Sequence, residues 1–448
     1  MDSFARLKQL LLATGDIISL YLALFLMLWV RYGTFFYARL FNTHIEPFTI
    51  VFAIWIIAYY IAGLYDLPLL KNNFEFKKRW GATTLLNTLI AALFFYGVLS
   101  YFFISPRANL AIFLAVFALL NYSWRHLYNF WLAKTDPVSR LLVIGSTKTS
   151  EEIVAYLEKN PQLGYRVNYW MKEGLQDKEL DHLAQIIIAN RINTLVIPAH
   201  LKKDARAAKT IYKTLLLGIE VLDLAALYEL IFQKVPLAEL EEVWFLENLV
   251  KKHKVYDLVS RPLEFLLALI LTIIFLLPAI LIAFLIKVTS PGSAFFTQRR
   301  IGRDGKEFVM WKFRTMKADA EKDGPQWANY HQDNRVIPGI GKFMRWIHLD
   351  ELPQLYNILR GELSFVGPRP ERPEFVERLR KELPFYDFRH LTTPGITGWA
   401  QINYRYAAST TDAYQKLQYD IYYIKNNSPL LDLLIILKTV RFLITNHE

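Results

Sequence analysis

The placement of apolar residues limits what this chain can fold into before any motif does. In the first 135 residues, four blocks (Leu10–Val30, Glu46–Tyr65, Ala82–Ile104 and Ala108–Leu132) each approach or exceed the ~20 residues that carry a helix across a bilayer core. The pattern predicts a four-helix transmembrane bundle over residues 1–135. The first block has no small-residue cleavage site and is followed by three like it, so it reads as a span and not a signal peptide. Asp16 lies inside it. An intramembrane carboxylate is by default a functional candidate, but its place near the helix start predicts that it reaches the interface.

The short loops set the orientation, because Lys and Arg are retained on the cytoplasmic side. Arg6, Lys8, Lys71, Lys77, Lys78, Arg79, Arg140 and Lys148 fall on one side, against Arg31, Arg39 and Arg107 on the other. Both ends of the bundle are therefore expected at the cytoplasmic face of the membrane. The chain carries 52 basic and 41 acidic side chains, a net charge of +11, and is 53% hydrophobic. Basic excess in so apolar a chain suits a bilayer surface better than nucleic acid. The absence of cysteine excludes disulfides, thiolate zinc sites and a cysteine nucleophile.

Residues 136–250 change to α/β alternation. Strands are predicted at Leu141–Ile144, Thr194–Ile197 and Gly218–Leu222, with a helix at Glu151–Lys159, which describes a small Rossmann-like parallel-sheet domain. Gly145-Ser146-Thr147-Lys148-Thr149-Ser150 lacks the G-x-G-x-x-G spacing that lets backbone approach a pyrophosphate, so a structural or regulatory role is expected over nucleotide binding.

Leu263–Val288 is apolar and long enough to cross a membrane, at about 39 Å of straight helix. Pro278 interrupts it, since an interior proline removes a hydrogen bond and clashes with the preceding turn. The two arms, about 22 and 15 Å long, are each too short to cross alone. Both flanks are basic: Lys251, Lys252, Lys254 and Arg261 before, Lys287, Arg299, Arg300 and Arg303 after. Equal charge on both sides predicts a re-entrant helix that enters the cytoplasmic leaflet, bends and returns. The alternative, a kinked fifth span, would put the rest of the chain outside the cell.

Residues 251–448 carry the chemistry. Phe295–Gly305 reads as a basic strand and a tight Asp304-Gly305 turn, pairing back through Phe308–Met310 into Trp311-Lys312-Phe313-Arg314-Thr315-Met316. Cations set among aromatics beside a membrane suit a phosphate-rich substrate, which guanidinium forks hold at two oxygens. His348–Leu359 reads as a helix with Pro353 in its first turn, so that Asp350 and Glu351 sit at its start. An Asp there is ordinarily an N-cap. However, adjacent carboxylates repel, and a divalent cation would offset that while neutralising a pyrophosphate. Arg369 stands between Pro368 and Pro370, a rigid setting for a preorganised phosphate contact. His331, His348 and His390 lack metal-ligand spacing and are expected to be structural.

From about Lys254 onward the chain resembles the catalytic domain of the monotopic phosphoglycosyl transferases, the bacterial sugar transferases that initiate exopolysaccharide and O-antigen assembly. The Pro278-interrupted segment, Gln298-Arg299-Arg300-Ile301-Gly302, Lys312–Met316, Leu349-Asp350-Glu351-Leu352-Pro353-Gln354-Leu355, Val366-Gly367-Pro368-Arg369-Pro370, Pro394–Asn403 and Tyr419–Asn426 carry the resemblance in order. The earlier helices and α/β domain match large members more loosely.

The resemblance implies an α+β monotopic catalytic domain and a hexose-1-phosphate transfer. Asp350 would attack the sugar-bearing phosphate of a UDP-sugar, releasing UMP and leaving a covalent phosphosugar, which undecaprenyl or another polyprenyl phosphate then takes. Glu351 would be the Mg2+ ligand or dyad partner, with Asp350 also near the metal. Arg369, Lys312, Arg314 and Arg299 would bind phosphate. The resemblance also implies a homodimer. The chain departs from the pattern at Trp346-Ile347-His348, where large members carry Arg or Lys with Thr or Ser. Gly395–Tyr406 is closest to the glucose or galactose branch. Two rival classes stand against this: a membrane-anchored, Mg2+-dependent nucleotide-sugar hydrolase, and a non-catalytic scaffold that binds anionic lipid.

Overall fold

Four helices open the chain: α1 (Ser3–Tyr32), α2 (Ala38–Ile61), α3 (Phe74–Gly97) and α4 (Pro106–Lys134). The computed structural model describes residues 3–33, 38–97, 106–134, 139–173, 177–249, 253–316, 336–404 and 409–445, which fall into two compact units, Met1–Ile231 and Phe232–Glu448. Among the described residues, four helical stretches are long and apolar enough to cross a membrane: Leu7–Tyr32, Thr43–Ile61, Asn109–Leu132 and Ser260–Thr289. Three coincide with expected spans. The third expected span is helical as far as Gly97, but α3 is not among the four. Its first two turns hold Lys77, Lys78 and Arg79, it carries Thr83, Thr84, Asn87 and Thr88, and residues 98–104 lie outside the described part.

The bundle core is aromatic, with Phe48, Phe52, Trp55, Phe113 and Phe117 buried against one another. Helices α1 and α4 approach closely at Gly15, where a Cβ would sit 2.0 Å from the Trp124 ring. Asp16 does not reach the interface. It is fully buried and ion-paired with fully buried Arg125 of α4. Asn121 donates to its other oxygen at 2.8 Å, and Arg125 also donates to the Leu64 carbonyl at 2.9 Å. In an apolar bundle a carboxylate this far from water requires such partners, and one helix turn of α4 supplies two of them.

The rest of the first unit contains β1 (Ser139–Ile144), α5 (Lys148–Lys159), β2 (Tyr165–Met171), α6 (Asp177–Ala189), β3 (Thr194–Ile197), α7 (Ala205–Thr214) and β4 (Glu220–Asp223), followed by α8 (Leu224–Phe232). The sheet is wholly parallel, in the order β2-β1-β3-β4. The buried central runs Leu141–Ile144 and Thr194–Ile197 are legible strands and β4 overlaps the expected Gly218–Leu222, whereas β2, half-exposed and interspersed with Arg166 and Asn168, gives no apolar run.

The second unit begins with α9 (Glu242–Leu249) and α10 (His253–Thr289), followed by the hairpin β5 (Phe295–Ile301) and β6 (Glu307–Phe313). The expected break at Pro278 is not an interruption of the helix, because α10 continues through both Pro262 and Pro278 as one element. Two regions of α10 pack into the unit. Ala268 lies with Phe308, Met310, Leu355 and Ile358, while Ile282 and Ile286 lie with Phe313 and Met344. The hairpin turn follows its sequence signature, with Asp304 at φ 56° and Gly305 at φ 73°.

Next come α11 (Ile340–Trp346), α12 (Gln354–Leu359), β7 (Ser364–Val366), α13 (Pro373–Glu382), β8 (Gly395–Thr397), α14 (Trp399–Asn403), α15 (Thr410–Asn426) and α16 (Pro429–Thr445). Strands β7 and β8 pair in parallel, Ser364 with Gly395 and Val366 with Thr397. The crossing admits no side chain: a Cβ on Gly395 would lie 2.0 Å from the Gly367 nitrogen, and one on Gly398 would lie 2.1 Å from the Gly367 oxygen. These two glycine-bearing motifs are thus explained by close backbone approach.

Candidate active site

Asp350 and Glu351 occupy a single 3-10 turn, Leu349–Glu351, that precedes α12. The expected continuous helix from His348 is therefore two elements, and Pro353 stands between them as the N-cap of α12. His348 opens the turn at φ 56° and ψ 24°, a left-handed conformation rare outside glycine, and neither it nor Asp350 serves as a side-chain cap. Asp350 is 9% exposed, so the capping role that its position suggested is absent.

Lys312 on β6 and Arg369 converge on Glu351. Lys312 Nζ lies 2.7 Å and Arg369 Nη2 3.3 Å from the same oxygen, Oε1, so these two contacts leave Oε2 unspent. Burial alone would raise the Glu351 carboxyl, but Lys312 and Arg369 pull it well below the usual carboxylate range. Burial pushes the Asp350 carboxyl up against the opposing pull of Lys312, and burial lowers Lys312 below an ordinary lysine despite Glu351. The turn therefore holds one carboxylate with two cations on a single oxygen beside a second that is spent on none of these bonds. One turn further on, Gln354 is buried with its Nε2 unpartnered among the described residues.

The other two candidate cations go elsewhere. Arg314 donates to the Pro291 and Ser290 carbonyls, both at 2.8 Å, and so holds the chain where it leaves α10. It fits there because Gly292, at φ 115°, has no Cβ; one would sit 2.3 Å from Arg314 Nη1. Arg299 pairs across the hairpin with Val309, whereas Lys312 pairs with Phe296, which puts the two cations on opposite faces. Arg299 is accordingly exposed, 3.6 Å from Glu307. Pro278 lies within α10. His390 is buried 3.5 Å from Asp387, and burial lowers its pKa to about 4, which suits the structural role expected of it. His331 lies outside the described residues.

Asn357 escaped sequence reasoning. Fully buried on α12, it donates to the Val309 carbonyl at 2.7 Å and to Glu362 at 2.8 Å, and accepts from the Trp311 amide at 3.1 Å. It thereby latches the strand bearing Lys312 to the helix that follows the Asp350–Glu351 turn. An Asn in an apolar helix was the available signal. In the first unit, the turn after β1 is filled from within: Thr147 and Ser150 form a capping box, and Ser146 Oγ donates to the Glu151 carboxylate at 3.2 Å.

Among the described residues no group of three or more His, Cys, Asp or Glu side chains could hold a metal ion. Two adjacent carboxylates are nevertheless the donor set Mg2+ accepts, since it usually completes its shell with water and substrate phosphate. The unspent Glu351 Oε2 is consistent with that.

Comparison with known proteins covers this same unit. The bacterial sugar transferase family model matches residues 255–446. A UDP-N-acetylgalactosamine-undecaprenyl-phosphate N-acetylgalactosaminephosphotransferase of Aeromonas hydrophila is 42% identical over 192 residues, which is 43% of this chain and 45% of that protein. A putative undecaprenyl-phosphate N-acetylgalactosaminyl 1-phosphate transferase of Bacillus subtilis is 44% identical over 142 residues, 32% of this chain and 78% of its own length. A UDP-glucose:undecaprenyl-phosphate glucose-1-phosphate transferase of Escherichia coli is 42% identical over 161 residues, 36% of this chain and 34% of its own. The match thus spans less than half of two of these relatives and most of the third. With this identity over most of a relative's length, the chain belongs to the bacterial sugar transferase family.

Proposed function

We propose that the protein transfers a hexose-1-phosphate from a UDP-sugar to undecaprenyl or another polyprenyl phosphate at the cytoplasmic face of the inner membrane. The observation that carries this is the placement at one turn of a Glu351 held at one oxygen by two cations beside a buried Asp350 that takes part in neither contact. An Asp350 oxygen forms the bond to the sugar-bearing phosphorus, and the bond from that phosphorus to the bridging oxygen breaks, its electron pair leaving with UMP. A polyprenyl phosphate oxygen then attacks the same phosphorus and returns Asp350 as carboxylate. A carboxylate suits this role because it needs no general base for the first step. Lys312 and Arg369 stabilise phosphoryl charge, the dominant contribution in such transfers. Mg2+, held by Asp350 and Glu351, would neutralise the pyrophosphate.

The re-entrant reading of α10 draws support from its packing. Ala268 and Ile286, about 27 Å apart along a straight helix, both pack against elements of the second unit, and only 11% of the most apolar window is buried. A straight span would separate such contacts across the bilayer. The parallel sheet of the first unit, with its order β2-β1-β3-β4, follows the flavodoxin-like variant of the doubly wound fold and not the Rossmann order, and we read it as structural or regulatory.

The test is incubation of the full chain in polyprenyl-phosphate vesicles with Mg2+ and UDP-glucose, UDP-galactose or UDP-N-acetylgalactosamine. A lipid-linked phosphosugar with UMP release is expected, and UDP as the leaving product would refute the mechanism. Release of sugar phosphate without a lipid acceptor would favour the hydrolase.

A further inference from the structure

Four consecutive backbone carbonyls around Arg369 are each held by a donor, and the donors come from three places in the second unit. The Gly395 amide donates to Pro368 at 3.0 Å, Arg389 Nη2 to Arg369 at 2.9 Å, Arg300 Nη1 to Pro370 at 3.0 Å and the Ile301 amide to Glu371 at 2.9 Å. Pro368 and Pro370 have no N–H to offer, so these carbonyls and the fixed proline φ angles define the segment. Two of the four donors are backbone and survive most substitutions. Of the two side chains, Arg389 is the one that holds the carbonyl of Arg369 itself.

Arg389 is 7% exposed and is anchored in turn. Its Nη2 lies 3.0 Å from Asp420 on α15, itself 2% exposed, and its Nη1 donates to the Tyr386 hydroxyl. Burying an arginine is costly unless its donors are met, and here a planar fork divides its bonds among a carboxylate, a phenol and a carbonyl in a way no lysine can reproduce. Neither Arg389 nor Asp420 is among the candidate phosphate contacts, although Asp420 lies in the Tyr419–Asn426 motif.

Building on the phosphate-binding role proposed for Arg369, we infer that Arg389, braced by Asp420, is a positioning residue for the transfer reaction: it sets the place from which the Arg369 guanidinium reaches Glu351 and the substrate phosphate. Displacing a contact by about 1 Å can cost up to a hundredfold in rate.

The experiment is a double-mutant cycle on the full chain in vesicles, measuring kcat and KM for the UDP-sugar. Arg389→Lys is expected to lower kcat about ten- to a hundredfold in the wild-type background. In the Arg369→Ala background, where there is no guanidinium left to position, it should cost less than about twofold. Asp420→Asn, which keeps the shape of the brace, should show the same loss and the same masking. Losses that multiply in full in the Arg369→Ala background would overturn the inference, as would unchanged turnover in both variants. Hydrogen exchange of the 367–372 segment is followed in parallel: Arg389→Lys should speed it, while the β5–β6 hairpin is unaffected, and unchanged exchange also overturns the inference. Wild-type protein that gives no lipid-linked product with any UDP-sugar would sink the functional reading alone, and the exchange measurement would then decide the positioning claim by itself.

Discussion

Asp16 with Arg125 in the first unit and Glu351 with Lys312 in the second are both carboxylate–cation pairs withdrawn from water, yet their surroundings differ. Around Asp16 every charge is spent inside the bundle: Arg125 and Asn121 take both carboxylate oxygens, Leu64 takes the remaining guanidinium edge, and the Tyr59 and Tyr65 rings lie 4.8 and 5.2 Å from the guanidinium carbon. Around Glu351 the saturation stops at one oxygen, a second carboxylate lies beside it, and Arg369 is 44% exposed. A closed network specifies how helices pack, whereas one with a second carboxylate and a half-exposed arginine beside solvent can take a ligand.

The largest expected effect tests the open pair. Asp350→Asn should reduce transfer on the order of 10⁴-fold or more and leave the melting temperature of the solubilised protein equal or higher, since burial already disfavours the Asp350 charge. Melting that drops with activity would make Asp350 a structural residue like Asp16. Arg125→Met should do the reverse. It strands a buried carboxylate, costs about 3–5 kcal/mol of stability, and leaves turnover per folded molecule unchanged. Adding Asp16→Leu should recover most of that loss, because an apolar pair of similar size replaces a buried ion pair nearly neutrally. Lys312→Met should fall between them, losing about 10²–10³-fold in kcat with some stability.

The smallest effect concerns pH. Burial raises Asp420 to about 6 against the pull of Arg389 and Lys416, with Glu371 adding to the rise and Tyr386 hydrogen-bonded to the same arginine. A folded pKa above the unfolded value of about 3.9 means that the folded protein binds this proton more tightly. The stabilising contribution is complete below the unfolded value and is lost as pH rises through about 6. The wild type should therefore lose stability relative to Asp420→Asn between about pH 4 and 7, as followed by thermal melting at each pH, and a flat difference would contradict the shift.

How far sequence reasoning reached follows the range of the interactions. The apolar runs of the first, second and fourth helices, the Asp304-Gly305 turn and the central strands announce themselves through local pattern, and the charged motifs supply Lys312, Glu351 and Arg369, whose meeting at one oxygen is a matter of the fold. Arg314 and Arg299 look equivalent to Lys312 in composition. What separates them is strand register and a glycine at φ 115°, neither of which has a compositional signature. Asp16 finds its partner 109 positions away, through the mutual rotation of two helices, and the Arg389–Asp420 brace depends on the same kind of long-range placement.

The crossing of Gly367 with Gly395 and Gly398 has a consequence for recombination among relatives. Those backbones touch where no Cβ fits, so the stretch from Ser364 to Gly398 has to be inherited as one piece. A chimera that joins two parents inside it would set one protein's strand against another's spacing at the tightest point of the unit. Junctions outside that stretch would leave the crossing intact, and exchanges of sugar preference between family members are best cut there.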